Sequence, residues 1–253
     1  MNITNDEWAA GDFNSENSDG APIINHEMRF NFFQPWSTFV MQTQLPSKIL
    51  EKMIRITDEV VANEERKDQG AGQLKDQFSI TPKRLEQENL MSFFLDVCKT
   101  FIIQAFYQAK PFNKENIKNE EWLPYLRSMW INSQKDNEYF PVHYHMACTI
   151  SSVMYLKIPE YLPSRKVRST QMEQDGNLTF TKTGETNKIW GWPLLEIQPQ
   201  IGDLFIFPSE QLHQVYPFRT ADGKGERRSV SFNADFSNSN LQMWKSFTPV
   251  KKE

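Results

Sequence analysis

The sequence predicts a mainly β chain with flanking helices, and three observations carry that expectation. From Trp122 onward, proline, glycine and short apolar runs recur at the spacing of a β region. Before it, two longer segments place apolar residues at helical spacing. Eight short strands invite a closed sandwich or barrel, and 39% hydrophobic with 13% aromatic residues over 253 positions are ample for its core.

Residues 1–27 are rich in Asn, Asp, Gly, Ser and Glu without a sustained period, and read as a polar leader to a single domain over 28–253. From Met28 to Gln44 the text is aromatic and β-branched, broken by Pro35, which suggests a strand or two with an interruption. Leu45-Pro46-Ser47 then opens an amphipathic helix with Ile49, Leu50, Met53, Ile54, Thr57, Val60 and Val61 on one face. The charged, Gly-rich run Asn63 to Lys75 reads as an exposed loop. Thr81-Pro82 begins a second helix whose apolar positions run from Leu85 through Leu90, Phe94, Val97 and Phe101 nearly to Ala109. These two helices form a support over about 46–110.

The β core is expected over about 122–240. Its strands fall near Arg127 to Asn132, Val142 to His145, Ile150 to Ile158, Leu178 to Lys182, Leu194 to Gln198, Asp203 to Phe207, Gln214 to Tyr216 and Arg228 to Asn233. The long polar stretch 159–192, basic at Arg165, Lys166 and Arg168, behaves as a lid-like insertion at one end of the barrel.

A formal net charge of −4 supplies no global cationic field for nucleic acid or anionic lipid. Cys98 and Cys148 make no disulfide framework and no CxxC pair, which fits a reducing compartment. No apolar run approaches a membrane span, and the leader is not a signal peptide, so the expectation is a cytoplasmic protein with no membrane or nucleic-acid partner.

Two of the four histidines stand one residue apart in Phe140-Pro141-Val142-His143-Tyr144-His145. On a strand, residues i and i+2 share a face, so His143 and His145 offer two imidazoles to one point. The run Gly202-Asp203-Leu204-Phe205-Ile206-Phe207-Pro208, a turn and a buried strand, leads to His213 as the candidate third ligand. Three imidazoles suit iron, zinc, copper or nickel, and the ligand type alone does not choose among them. Further on, Gly225-Glu226-Arg227-Arg228-Ser229-Val230-Ser231-Phe232-Asn233 sets a basic residue at the mouth of an apolar, small-residue strand, where a guanidinium can grip a carboxylate in bidentate fashion.

In this order, HxH, Ile150-Ser151-Ser152-Val153-Met154-Tyr155-Leu156, GDLFIFPS, LHQVYP and RRSVSFN, the sequence resembles the iron(II) and 2-oxoglutarate dependent dioxygenases. More narrowly, it resembles a group of oxygenases of bacteria and tailed phages, whose opening Trp-x-Asn is matched by Trp130-Ile131-Asn132. The matching motifs span Arg127 to Asn233, with a weaker likeness over Phe33 to Pro46. The resemblance implies a double-stranded β-helix core, a jelly roll of cupin-like form. It implies Fe(II) held by His143, His145 and His213, and 2-oxoglutarate whose distal carboxylate is bound by Arg227. Tyr155 matches a tyrosine that helps hold the cosubstrate in some relatives, and Asn132 is a further pocket candidate. Arg227 is preferred to Arg228 because alternation aligns it with Ser229 and Ser231.

His145 departs from the wider superfamily, which uses a carboxylate there. Three neutral ligands leave the metal more cationic by one unit, and zinc remains an alternative ion. The implied reaction is oxidative decarboxylation of 2-oxoglutarate coupled to hydroxylation of a peptidyl or small-molecule substrate. A cupin-type protein is the first rival, although Met146 to Ser152 lacks the glutamate such proteins add after HxH. A non-catalytic barrel binding metal or organic acid is the second. Trp190-Gly191-Trp192 reads as packing at the rim, Asp203 as turn chemistry and Cys148 as a small packing residue.

Overall fold

The computed structural model describes residues 28–33, 38–69, 72–109, 122–163, 173–182 and 193–237. The leader, Pro35, the basic cluster Arg165, Lys166 and Arg168, and Trp190-Gly191-Trp192 lie outside the described residues.

Among the described residues are twelve strands and three helices. In chain order they are β1 (Phe30–Phe33), β2 (Val40–Gln44), α1 (Ser47–Ala62), β3 (Lys67–Gln69), β4 (Asp76–Ser79), α2 (Pro82–Gln87), α3 (Met91–Ala109), β5 (Leu123–Lys135), β6 (Phe140–His143), β7 (Ile150–Lys157), β8 (Leu178–Thr181), β9 (Leu194–Ile197), β10 (Asp203–Pro208), β11 (His213–Val215) and β12 (Glu226–Ser237). The eight strands expected after Trp122 are all present. They divide between a major sheet ordered β1-β2-β10-β7-β12-β5-β4-β3 and a minor sheet ordered β6-β11-β8-β9. Every pairing is antiparallel, and from β5 to β12 consecutive strands alternate between the sheets except for the β8–β9 hairpin, which gives the jelly roll.

Side-chain alternation splits the apolar residues into two layers. On the outer face of the major sheet, Met41, Ile131, Met154, Leu204, Ile206, Val230 and Phe232 pack with Ile49, Met53, Ile56 and Val60 of α1 and with Phe94, Val97 and Phe101 of α3. On the inner face, Val153, Tyr155, Phe205 and Phe207 meet Leu178 and Phe180 of the minor sheet. The helices thus stiffen the sheet from behind, and its inner face is left to the site.

Three local outcomes differ from the sequence reading. The second helical stretch is two helices: Thr81 caps α2 through its hydroxyl to the Arg84 N–H, and the chain breaks at Asn89, which takes a positive φ of 54°. Asparagine tolerates that region without a glycine. The charged run after α1 is not all loop, because β3 and β4 form a hairpin that extends the major sheet. Here tertiary pairing outweighs composition, with Gln77 opposite Asn132 and Phe78 opposite Ile131. Finally, β6 ends at His143, so His145 lies beyond the strand instead of on it.

Candidate metal centre and carboxylate pocket

His143 and His213 sit directly opposite each other in the β6–β11 pair. Their ring centroids are 4.1 Å apart, and the His145 ring is 5.2 Å from each. One ligand atom from each of the three residues lies within 4.8 Å of the other two. His145 reaches this point without strand geometry: its backbone N–H donates to the Ser209 carbonyl at 2.9 Å, tying the chain after β6 to the turn between β10 and β11.

The tautomers are fixed by the backbone. His143 Nδ1 is 2.8 Å from the Pro141 carbonyl, and His213 Nδ1 is 2.8 Å from the Gln211 carbonyl. A carbonyl only accepts, so each Nδ1 carries the proton and each Nε2 keeps a free lone pair, the arrangement a metal requires. Burial lowers the pKa of all three rings. It is pushed down to about 3 at His213, by burial and then by the neighbouring His143, and to about 4 at His145, while His143 is lowered by burial alone against its bond to Pro141. Neutral imidazoles at neutral pH are ready donors.

A second set of polar groups lies on the inner face of the major sheet, whereas His143 and His213 belong to the minor sheet. On β12 the residues pointing inward are Arg227, Ser229 and Ser231, opposite Gln134, Asn132 and Trp130 of β5. Arg227 is only 2% exposed. It donates to the Gly176 carbonyl and to Gln134 Oε1, and its guanidinium carbon lies 5.6 Å from the Tyr155 ring and 5.9 Å from the Phe218 ring. Its Nε and the buried hydroxyl of Tyr155 have no hydrogen-bond partner, and the Tyr161 hydroxyl faces the guanidinium. Burial raises the pKa of both phenols, against the Arg227 charge, so they remain protonated donors. A buried guanidinium with one free N–H, beside two buried phenols, matches a carboxylate, and so fits the distal end of a dicarboxylic acid.

Arg228 points the other way, to Asp58 of α1 at 2.5 Å and to Glu226 at 2.7 Å. Asn132, on the inner face, is bonded to Gln77 at 2.6 Å and lies 3.3 Å from Ser231 Oγ. Trp130 stands near the metal end, its ring 5.8 Å from that of His145.

Sequence reasoning missed Tyr161, Gly176 and Gln134 as members of the pocket. Gly176 carried the one available signal, a glycine before a strand. It has φ +76°, and a Cβ there would lie 2.4 Å from the Tyr161 ring. Tyr161 in turn stacks on Phe218, with centroids 5.0 Å apart.

The sequence model of the family described as Putative 2OG-Fe(II) oxygenase matches residues 128–233, a span that holds every residue of this site. No curated protein sequence matches the chain. Among solved structures, a prolyl-4-hydroxylase from Pseudomonas putida is similar at 16% identity and a TM-score of 0.50, over 79% of this chain and 92% of that one. The non-heme alpha ketoglutarate dependent carbocyclase SnoK from nogalamycin biosynthesis is similar at 11% identity and a TM-score of 0.50, over 83% and 87%. At such identities these two structures speak for the fold alone. Among the described residues no helix is long and apolar enough to cross a membrane. The family match, the HxH and the distal His cluster fall in one span: over residues 128–233 the chain is similar to the 2OG-Fe(II) oxygenases.

Proposed function

We propose that the chain is an Fe(II)- and 2-oxoglutarate-dependent dioxygenase that hydroxylates a peptidyl or small-molecule substrate. In this reading His143, His145 and His213 hold the iron, and Arg227, with Tyr155 beside it, binds the distal carboxylate of 2-oxoglutarate. The supporting observation is that one jelly roll holds two incomplete sites, one from each sheet: three neutral imidazoles around a point, and a buried guanidinium with an unsatisfied Nε. Bound iron with 2-oxoglutarate would supply the oxidising power for attack on a C–H bond. The protein's own residues orient and enclose. Phe207 and Phe180 pack beside His213 and keep water from that side, with ring centroids 4.8 and 6.4 Å away.

The open side belongs to substrate. His143 and His145 are themselves only half-buried, which leaves the metal end open to solvent. Trp130 lines the approach to His145. Both substrate classes have a fold relative: the Pseudomonas putida protein is a prolyl hydroxylase and SnoK a carbocyclase.

The test is direct. Anaerobic protein loaded with Fe(II) should bind 2-oxoglutarate with a visible charge-transfer band and, once exposed to air, slowly form succinate. Neither binding nor succinate would sink the reading. Binding without succinate would reassign the site to a non-catalytic metal and organic-acid binder.

A further inference from the structure

Asp58 stands on α1, behind the major sheet, yet it touches both strands that carry the carboxylate pocket. Its Oδ1 accepts from Lys157 Nζ at the end of β7 and from Arg228 Nη1 near the start of β12, the latter at 2.5 Å. Those two residues are paired across the sheet, and the pairing is irregular just there. Arg228 is opposite Lys157, whereas the next residue, Ser229, is opposite Tyr155, so Leu156 is an extra residue on β7. A bulge of this kind bends its strand and re-aims the side chains beside it. Here it puts both Leu156 and Lys157 on the helix side, Leu156 within the outer core and Lys157 on Asp58. Tyr155 and Arg227, the residues immediately flanking the irregular step, point inward towards each other.

From this geometry we infer that Asp58 is a positioning residue for the carboxylate pocket, acting by clamping the β7–β12 bulge from the helix side. The inference rests on reading the pocket as the 2-oxoglutarate site. One carboxylate oxygen draws Lys157 and Arg228 to the same point and so holds the step at which the two strands change register. Glu226, two residues before Arg228 on the same face, reinforces the strand end, accepting from Arg228 Nε at 2.9 Å and from Ser133 Oγ at 2.6 Å. Without Asp58, Arg228 keeps Glu226 but Lys157 loses its anchor, and the bulge is held by its backbone bonds alone. The metal ligands lie on β6, β11 and the turn after β6, and none of these elements pairs with the bulge.

The experiment uses the full chain with Asp58→Ala, compared with Glu59→Ala. Glu59 is the adjacent residue of α1 and makes ion pairs of its own, to Arg55 and Arg84, away from the bulge. Alanine favours the helix in both cases. Titration of 2-oxoglutarate into the anaerobic Fe(II) protein should show about a fivefold weaker dissociation constant for Asp58→Ala, with metal content unchanged. Amide hydrogen exchange in the metal-free protein should quicken at Tyr155 to Lys157 and at Arg227 to Ser229. Glu59→Ala should change neither, and Asp58→Glu should restore most of the affinity. Equal 2-oxoglutarate affinity in wild type and Asp58→Ala overturns the inference while leaving the proposed function standing. Equal weakening by Glu59→Ala also overturns it, by showing a general effect of helix charge. If the wild type itself binds no 2-oxoglutarate, the proposed function fails and this inference with it.

Discussion

Arg227 and Arg228 are neighbours in sequence and lie on opposite sides of the major sheet, Arg227 buried against Tyr155 and Arg228 paired with Asp58 and Glu226. Their roles separate accordingly. Arg227→Gln removes the cation from the pocket and should weaken 2-oxoglutarate binding by about 1.5–3 kcal/mol, roughly ten- to a hundredfold in Kd, with metal content preserved. Calorimetric titration of the metal-loaded protein checks this, and unchanged affinity would remove Arg227 from the site.

His213 is the most buried of the three imidazoles, 5% exposed. Replacing it with alanine leaves two ligands and should weaken metal binding by at least roughly 100-fold, since even the partners behind a ligand cost ten- to a hundredfold. The readout is linkage. Excess Fe(II) or Zn(II) should raise the melting temperature of the wild type, which binds the ion only when folded, and should leave His213→Ala where it was.

Gly176 joins a left-handed backbone to close contact with Tyr161. Gly176→Ala adds strain and a clash at once, and should destabilise the fold by about 1–3 kcal/mol in denaturant titration. Because its carbonyl also accepts from Arg227, the same variant should bind 2-oxoglutarate less tightly. Tyr161→Phe, which keeps the ring stack on Phe218, should keep the stability and lose only affinity.

The ion cluster behind the sheet gives an acid dependence. Burial raises the pKa of Asp58, but hydrogen bonds from Lys157 and Arg228 outweigh it and the carboxyl ends below its usual value. Glu226 follows the same course, raised by burial and lowered further by Ser133 and Arg228. A carboxylate depressed in the fold contributes stability above its unfolded pKa, near 4, and loses it as pH falls through the folded value. The difference in melting temperature between wild type and the double variant Asp58→Ala/Glu226→Gln should therefore be full at pH 7 and shrink on acidification below about pH 4. A difference that grew on acidification would contradict the assigned ion pairs.

The barrel was legible because its strands carry their own signals: the continuous apolar run Leu204 to Phe207 of a buried strand, the β-branched and aromatic run from Ile150, and glycine or proline between them. The histidine cluster was legible because histidine is scarce in this chain. The hairpin of β3 and β4 was not, since Lys67 to Gln69 and Asp76 to Ser79 are mostly charged and polar, and only their partners across the sheet make them strands. The roof of the carboxylate pocket was equally hidden. Tyr161 and Gly176 lie within the long stretch 159–192, and nothing in their local sequence reports that they meet each other and Arg227. His145 was assigned to the site from strand periodicity, yet it arrives there through a turn tied to Ser209.

The direct pairing of His143 with His213 has a consequence for how the molecule assembles. β6 is the second strand of the jelly roll and β11 the second to last, so four strands of the core separate the two imidazoles along the chain. In the proposed holoenzyme an ion would stitch together two strands far apart in the chain, a closure that chain entropy opposes. Metal should accordingly slow the opening of the minor sheet far more than it speeds its formation.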